Sequence, residues 1–261
     1  MIDLPTPALI GMAHLPALPG SPAHLLDMEA IIARALADAR ALADAGFDGV
    51  MIENAGDVPY PRGRIGPETV AAMAVVADHV RRNVGVPIGI NALRHDARAA
   101  IGVAAATGAA FVRVNVHTGV GATDQGVLTG RADRTLRYRQ RLGARVAILA
   151  DVHVKHGTPM SHPDIARAAE DTAYRGLADG LIVSGPATGA PVNVDDLTAV
   201  RRAVPDRRLF VGSGATADSV AALLDIADGV IVGSSLKPDG NPALPVDADL
   251  AARFVAAVRA S

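Results

Sequence analysis

Eight short runs rich in Val, Ile and Leu punctuate the chain at Ala8–Leu15, Gly46–Asn54, Pro87–Leu93, Phe111–His117, Ala147–Lys155, Gly180–Gly185, Leu209–Gly214 and Gly229–Leu236. Each has the length and composition of a strand buried on both faces. Between them lie alanine-rich segments with helical periodicity. In Asp27–Ala45 the residues Ile31, Ile32, Ala35, Leu36, Ala39, Leu42 and Ala43 form one stripe, opened by Asp27 and closed by Gly46. Pro67 takes a first-turn position ahead of Val70, Met73, Ala77 and Val80. Pro163 does the same after Ser161, and Thr216 is the predicted cap of a helix over Ala217–Ile226. Eight alternating βα units without a linker predict an α/β fold, a single-domain (β/α)₈ TIM barrel over residues 1–261, rather than an open doubly wound sheet.

The connections are asymmetric. Those entering strands are short, whereas Pro16–Leu26, Ala55–Gly66 and Thr118–Thr129 leave the first, second and fourth strands as long loops. Barrel enzymes build their sites and lids at that end of the strands. Gly56–Gly66 carries Tyr60, Arg62 and Arg64 and reads as a lid or as a solvated loop. Thr123, Asp124 and Gln125 in the third loop are suited to covering a ligand or to forming turns.

Two strands interrupt the apolar pattern at alternate positions. Arg113, Asn115 and His117 share one face opposite Val112, Val114 and Val116. Asp151, His153 and Lys155 likewise oppose Val152 and Val154. The valines belong against the surrounding helices, so both polar sets are expected inside the barrel, rising toward its mouth. His14, Glu53 with Asn54, Asn91 with Arg94, and Ser184 close other strands in the same manner. Polar groups in a core need partners or a ligand. An Arg113–Glu53 ion pair would account for some of them, but not for all.

The seventh and eighth strands end in glycine and serine: Gly212, Ser213 and Gly214, then Gly233 and Ser234. Glycine permits close backbone approach to an anion, and the loops after the last two barrel strands commonly hold a phosphate. Tight βα turns alone would also use these glycines. The expected partner is a phosphorylated small molecule.

Composition narrows the class. Of the 261 residues 50% are hydrophobic but only 3% aromatic, so the core relies on aliphatic residues and alanine. The net charge of −2 and the expectation of no basic cluster argue against a nucleic-acid partner. The absence of cysteine removes disulfides, thiolate metal sites and a thiol nucleophile. The segment Met1–Gly20 is broken by four prolines and has no basic start, unlike a signal peptide or membrane span. A cytoplasmic protein is expected, and alanine-rich helices offer flat faces on which a homo-oligomer can pack.

Three chemistries fit the polar mouth. Glu53, His117, Asp151 and His153 offer nitrogen and oxygen donors to a divalent metal, although no cofactor is required. A desolvated Lys155 can form a Schiff base with a carbonyl. Metal-free acid–base catalysis needs the fewest assumptions: Glu53 or Asp151 takes a proton while His153 or Lys155 stabilises the oxyanion. The catalytic candidates are therefore Glu53, Asp151, His153 and Lys155. The substrate-binding candidates are His14, Asn54, Asn91, Arg94, Arg113, Asn115, His117 and Ser184.

The segments IGMAHLPALPGSP (Ile10–Pro22), DGVMIENAGDVPY (Asp48–Tyr60), RVNVHTG (Arg113–Gly119), TDQG (Thr123–Gly126), ADVHVKH (Ala150–His156) and VSGPATG (Val183–Gly189) resemble the BtpA/SgcQ family. That resemblance runs from about Ile10 to Leu236 and implies a barrel of the ribulose-phosphate-binding type. The family name implies an assembly or stability factor for photosystem I. Other relatives imply an enzyme of phosphorylated sugars or nucleotides, an isomerase, lyase or glycosyl-bond enzyme. A scaffold needs an apolar outer patch rather than a polar mouth, so the enzyme is the favoured expectation.

Overall fold

A computed structural model describes residues 4–260; Met1–Asp3, which begin the proline-broken N-terminal segment, and Ser261 lie outside the described residues. The strands are β1 (Ala8–His14), β2 (Gly49–Glu53), β3 (Ile88–Asn91), β4 (Phe111–Val114), β5 (Val120–Thr123), β6 (Gly126–Thr129), β7 (Ala147–Asp151), β8 (Gly157–Pro159), β9 (Gly180–Val183), β10 (Arg208–Val211) and β11 (Gly229–Val232). Eight of them, in the order β1-β2-β3-β4-β7-β9-β10-β11, close into a parallel barrel as β11 pairs back onto β1. One helix follows each barrel strand: α1 (Met28–Ala45), α2 (Pro67–Asn83), α3 (Ala97–Thr107), α4 (Ala132–Arg141), α5 (Ile165–Glu170), α6 (Val194–Ala203), α7 (Val220–Leu224) and α8 (Ala248–Arg259). Among the described residues no helix is long and apolar enough to cross a membrane.

The side-chain period of two builds two cores. Ile10, Met51, Phe111, Leu149, Ile182, Phe210 and Ile231 fill the barrel, while Val50, Val112, Ile148, Leu181 and Val230 meet the helices. The two internal phenylalanines need empty neighbours. Gly89 is in register with Phe111, and a Cβ there would lie 2.1 Å from the ring. Gly229 is in register with Phe210, and a Cβ there would lie 2.9 Å from the Phe210 ring.

The Asp27 side chain caps α1 by accepting from Ala30 N at 2.8 Å, and Gly46 ends it with φ of 98°. Two helix starts differ from expectation. Asp164 caps α5, accepting from Ala166 and Arg167 N, because Ser161 Oγ is engaged with Val120 N. Helix α7 begins only at Val220, since the carbonyl of Thr216 closes a turn onto Ser219 N first. The expected loop Thr118–Thr129 is instead the β5–β6 hairpin, which joins β8 in a separate antiparallel sheet.

Candidate active site at the barrel mouth

Register alone assembles one polar row. His14 is paired with Glu53, Glu53 with Asn91, and Asn91 with Arg113, so four neighbouring strands carry inward polar residues at one level. All four are buried. Asn91 Nδ2 donates to Glu53 Oε2, and His14 Nε2 lies 3.7 Å from Glu53 Oε1. Arg113 turns the other way, to Asp151 at the end of β7. Its Nη2 and Nε donate to the two carboxylate oxygens at 2.8 and 3.2 Å, and further bonds reach Ser184 Oγ and the Gly212 carbonyl. Asn115 Nδ2 adds a third donor to Asp151 at 2.9 Å. The ion pair expected between Arg113 and Glu53 is therefore Arg113–Asp151. Asp151 accepts three hydrogen bonds and positions the guanidinium.

Glu53 keeps a freer oxygen and a cationic setting. Burial opposes its charge, yet Lys155, His14, Arg113 and the Asn91 bond together hold its carboxyl below the usual range. Lys155 lies in the turn after β7, where burial pushes its ammonium down against the pull of Glu53. Burial, aided by Lys237 and Lys155, lowers His14 to about 4 despite Glu53. The His14–Glu53 contact is thus a neutral imidazole beside a carboxylate at neutral pH.

His14, Arg113 and Lys155 share a cavity of about 380 Å³ with Gly212, Ser213 and Gly214 after β10 and with Gly233 and Ser234 after β11. Ser213 Oγ is buried there without a hydrogen-bond partner among the described residues. Ser234 opens a 3₁₀ turn whose first internal bond is Leu236 N to the Gly233 carbonyl. The glycines also have a structural cause. A Cβ at Gly212 would lie 2.3 Å from Ile182 and 3.1 Å from Arg113 Nη2, and one at Gly233 would lie 2.8 Å from the His14 ring. Gly214 has φ of 76°, and a Cβ there would lie 2.0 Å from the Ala190 carbonyl oxygen. These glycines make room for protein groups. Thr188, Gly189, Thr216 and Ser235 also line the cavity. They were missed because they lie in loops, although Thr188 and Gly189 belong to the VSGPATG segment.

Several expected site residues are elsewhere. Strand β4 ends at Val114, and His117 turns outward so that its Nε2 meets the Gly176 carbonyl at 2.8 Å. His153 leaves β7 similarly and meets the His162 carbonyl, lining a separate cavity beside β5 and β8. Glu53, His117, Asp151 and His153 consequently do not converge. Among the described residues no three His, Asp or Glu side chains form a metal-holding group. Asn54 is spent on structure: its Oδ1 accepts from Leu93 N, and its Nδ2 donates to the Leu93 carbonyl and to Asp57. Arg94 is buried and donates to the Lys155 carbonyl, holding that turn. Tyr60 bonds its own loop at the Ala55 carbonyl, and Arg62 and Arg64 line another cavity altogether, so neither arginine covers the mouth.

The sequence model of the BtpA family matches residues 6–260. The chain belongs to the BtpA family. It is 46% identical to the photosystem I biogenesis protein BtpA of Synechocystis sp., over 96% of this chain and 87% of that protein. It is 34% identical to the putative sgc region protein SgcQ of Escherichia coli, over 95% and 92% of the two chains. Among solved structures it resembles phosphoribosyl anthranilate isomerase from Thermus thermophilus, with a TM-score of 0.60, 12% identity and coverage of 97% and 98%. At that identity the likeness is one of fold, and it agrees with the closed barrel of this family member.

Proposed function

We propose that this BtpA-family chain is an enzyme acting on a phosphorylated sugar or nucleotide-like small molecule, by isomerase, lyase or glycosyl-bond chemistry. The observation that carries the reading is one cavity lined by Lys155, His14 and the two serine-ended strand termini, with Glu53 buried beneath them. The phosphate is held by N–H groups and hydroxyls around Ser213 and Ser234, with Lys155 and Arg113 supplying positive charge. Glu53, ionised at neutral pH, takes a proton from the substrate. The electron pair moves to a substrate oxygen that faces the Lys155 ammonium, neutral His14 donates a hydrogen bond to it, and the protonated Glu53 returns the proton to the substrate. Lys155, desolvated, is also suited to a Schiff base with a carbonyl, and borohydride trapping with the identified substrate distinguishes the two roles.

The test is a thermal-shift panel of phosphorylated sugars and nucleotides. A ligand at 100 times its dissociation constant stabilises by about 2.7 kcal/mol. The expected result is a selective shift that Ser234→Asp abolishes by placing a carboxylate in the anion cradle. No shift in the wild type, or a shift that survives Ser234→Asp, overturns the reading. A second reading rests on the 46% identical relative named for photosystem I biogenesis, which supports a role in assembly. A silent panel together with capture of a defined protein partner would favour it.

A further inference from the structure

Seven of the chain's 25 basic residues meet at a second cavity, away from the mouth. Helix α4 presents Arg134, Arg137 and Arg141 along one face, three and four residues apart, with Arg131 at its start. Arg98 comes from the first turn of α3, and Arg62 and Arg64 come from the loop ahead of α2. Strand β6 supplies a wall through Val127, Leu128 and Thr129. The open cavity measures about 770 Å³, within the range of small-molecule sites.

Charge is left uncompensated here. Arg131 pairs with Asp133 at 3.5 Å, but among the described residues the other six arginines have no carboxylate within ion-pair distance. Asp96 lines the cavity, yet its two oxygens accept from Ile65 and Ala99 N and are committed to the backbone. Arg98 lies 4.7 Å and Arg141 5.4 Å from the centroid of the Tyr138 ring. His95 Nδ1 is buried beside them without a partner. Arg113, Arg139 and Arg201, by contrast, are each paired with an aspartate. A concave cluster of unpaired guanidinium groups around one aromatic ring fits adjacent phosphate groups, which they grip bidentately.

We propose that this cavity binds a compact polyphosphate, either free or as the triphosphate of a nucleotide, at a site separate from the barrel mouth. A nucleic acid would need a longer basic track than one cavity provides. The two sources differ in whether a base accompanies the phosphates, and Tyr138 is the platform on which a base would stack.

Calorimetric titration with inorganic triphosphate, ATP and adenosine tests the proposal. Saturable binding of triphosphate is expected in 50 mM salt. Affinity should fall at least tenfold in Arg134→Gln/Arg137→Gln and remain within twofold in the mouth variant Lys155→Met. Both arginines are exposed, so the double variant should keep its fold by circular dichroism. Equal affinities for triphosphate and ATP identify the phosphates as the whole ligand. A tenfold preference for ATP that Tyr138→Leu removes identifies a nucleotide. The proposal is overturned if the wild type does not saturate with triphosphate, or if binding survives the double variant and is lost in Lys155→Met. That last result would move the ligand to the mouth without harming the phosphate reading there.

Discussion

The His14 side chain shows how one buried residue ties the site to stability. Its ring occupies the space that glycine leaves at position 233, and burial is the largest reason that its pKa falls from 6.5 to about 4. The unfolded chain therefore gains a proton as pH drops below about 6.5, while the folded protein stays neutral at this position until about pH 4. Stability must fall across that window, by at most roughly 3 kcal/mol. Urea unfolding of wild type and His14→Asn between pH 6.5 and 5 checks this, above the range where Glu53 titrates. The variant should start less stable at pH 7, having lost packing, but show a flatter dependence on pH. Equal slopes would mean that His14 is hydrated and ordinary.

Neighbouring strands β4 and β7 are joined by the Arg113–Asp151 pair, and its energetics separate a positioning role from catalysis. Both side chains are almost wholly buried, at 1% and 0% exposure. Asp151→Ala should destabilise by about 3–5 kcal/mol, because a guanidinium is left in the core with only neutral acceptors. Arg113→Met/Asp151→Leu should recover most of that loss in urea unfolding, and both variants should lose the phosphate-dependent shift. The same two strands mark the limit of what the sequence discloses. Alternation of Val112, Val114 and Val116 with Arg113, Asn115 and His117 reveals a strand with a polar inner face, and the ladder does turn Arg113 inward. Alternation says nothing of where a backbone leaves its ladder. The pattern runs on through His117 and His153, whereas the chain has already turned at Asn115 and Val152 and sends both imidazoles to carbonyls outside the mouth. Lys155 also lies beyond its strand, yet the turn held by Arg94 returns it to the cavity. The eight strands and the serine-ended loops were legible because they depend on local composition. The choice of Glu53 over Asp151 was not, since it depends on which carboxylate Arg113 reaches.

Across the whole molecule a net charge of −2 conceals a concentration of positive charge at the second cavity. Four of the second cavity's seven arginines fall within Arg131–Arg141, and the packing of α3, α4 and the loop ahead of α2 brings Arg62, Arg64 and Arg98 to them. The expectation of no basic cluster is thereby corrected, and the lid arginines Arg62 and Arg64 acquire a place away from the mouth. Without a ligand such a cluster repels itself, and removing charge from it should stabilise the protein. Arg134→Gln/Arg137→Gln should raise the Tm by about 1–3 °C in 20 mM salt, from surface electrostatics of about 0.5–1 kcal/mol. The gain should shrink to within error at 1 M salt, where the screening length falls to about 3 Å. Thermal scans of both proteins at the two salt concentrations decide the matter. A double variant less stable than wild type at low salt would show that these side chains support the fold, and that their charge carries no unpaid repulsion. A variant more stable when empty and weaker in triphosphate binding would show stability given up to hold an anion.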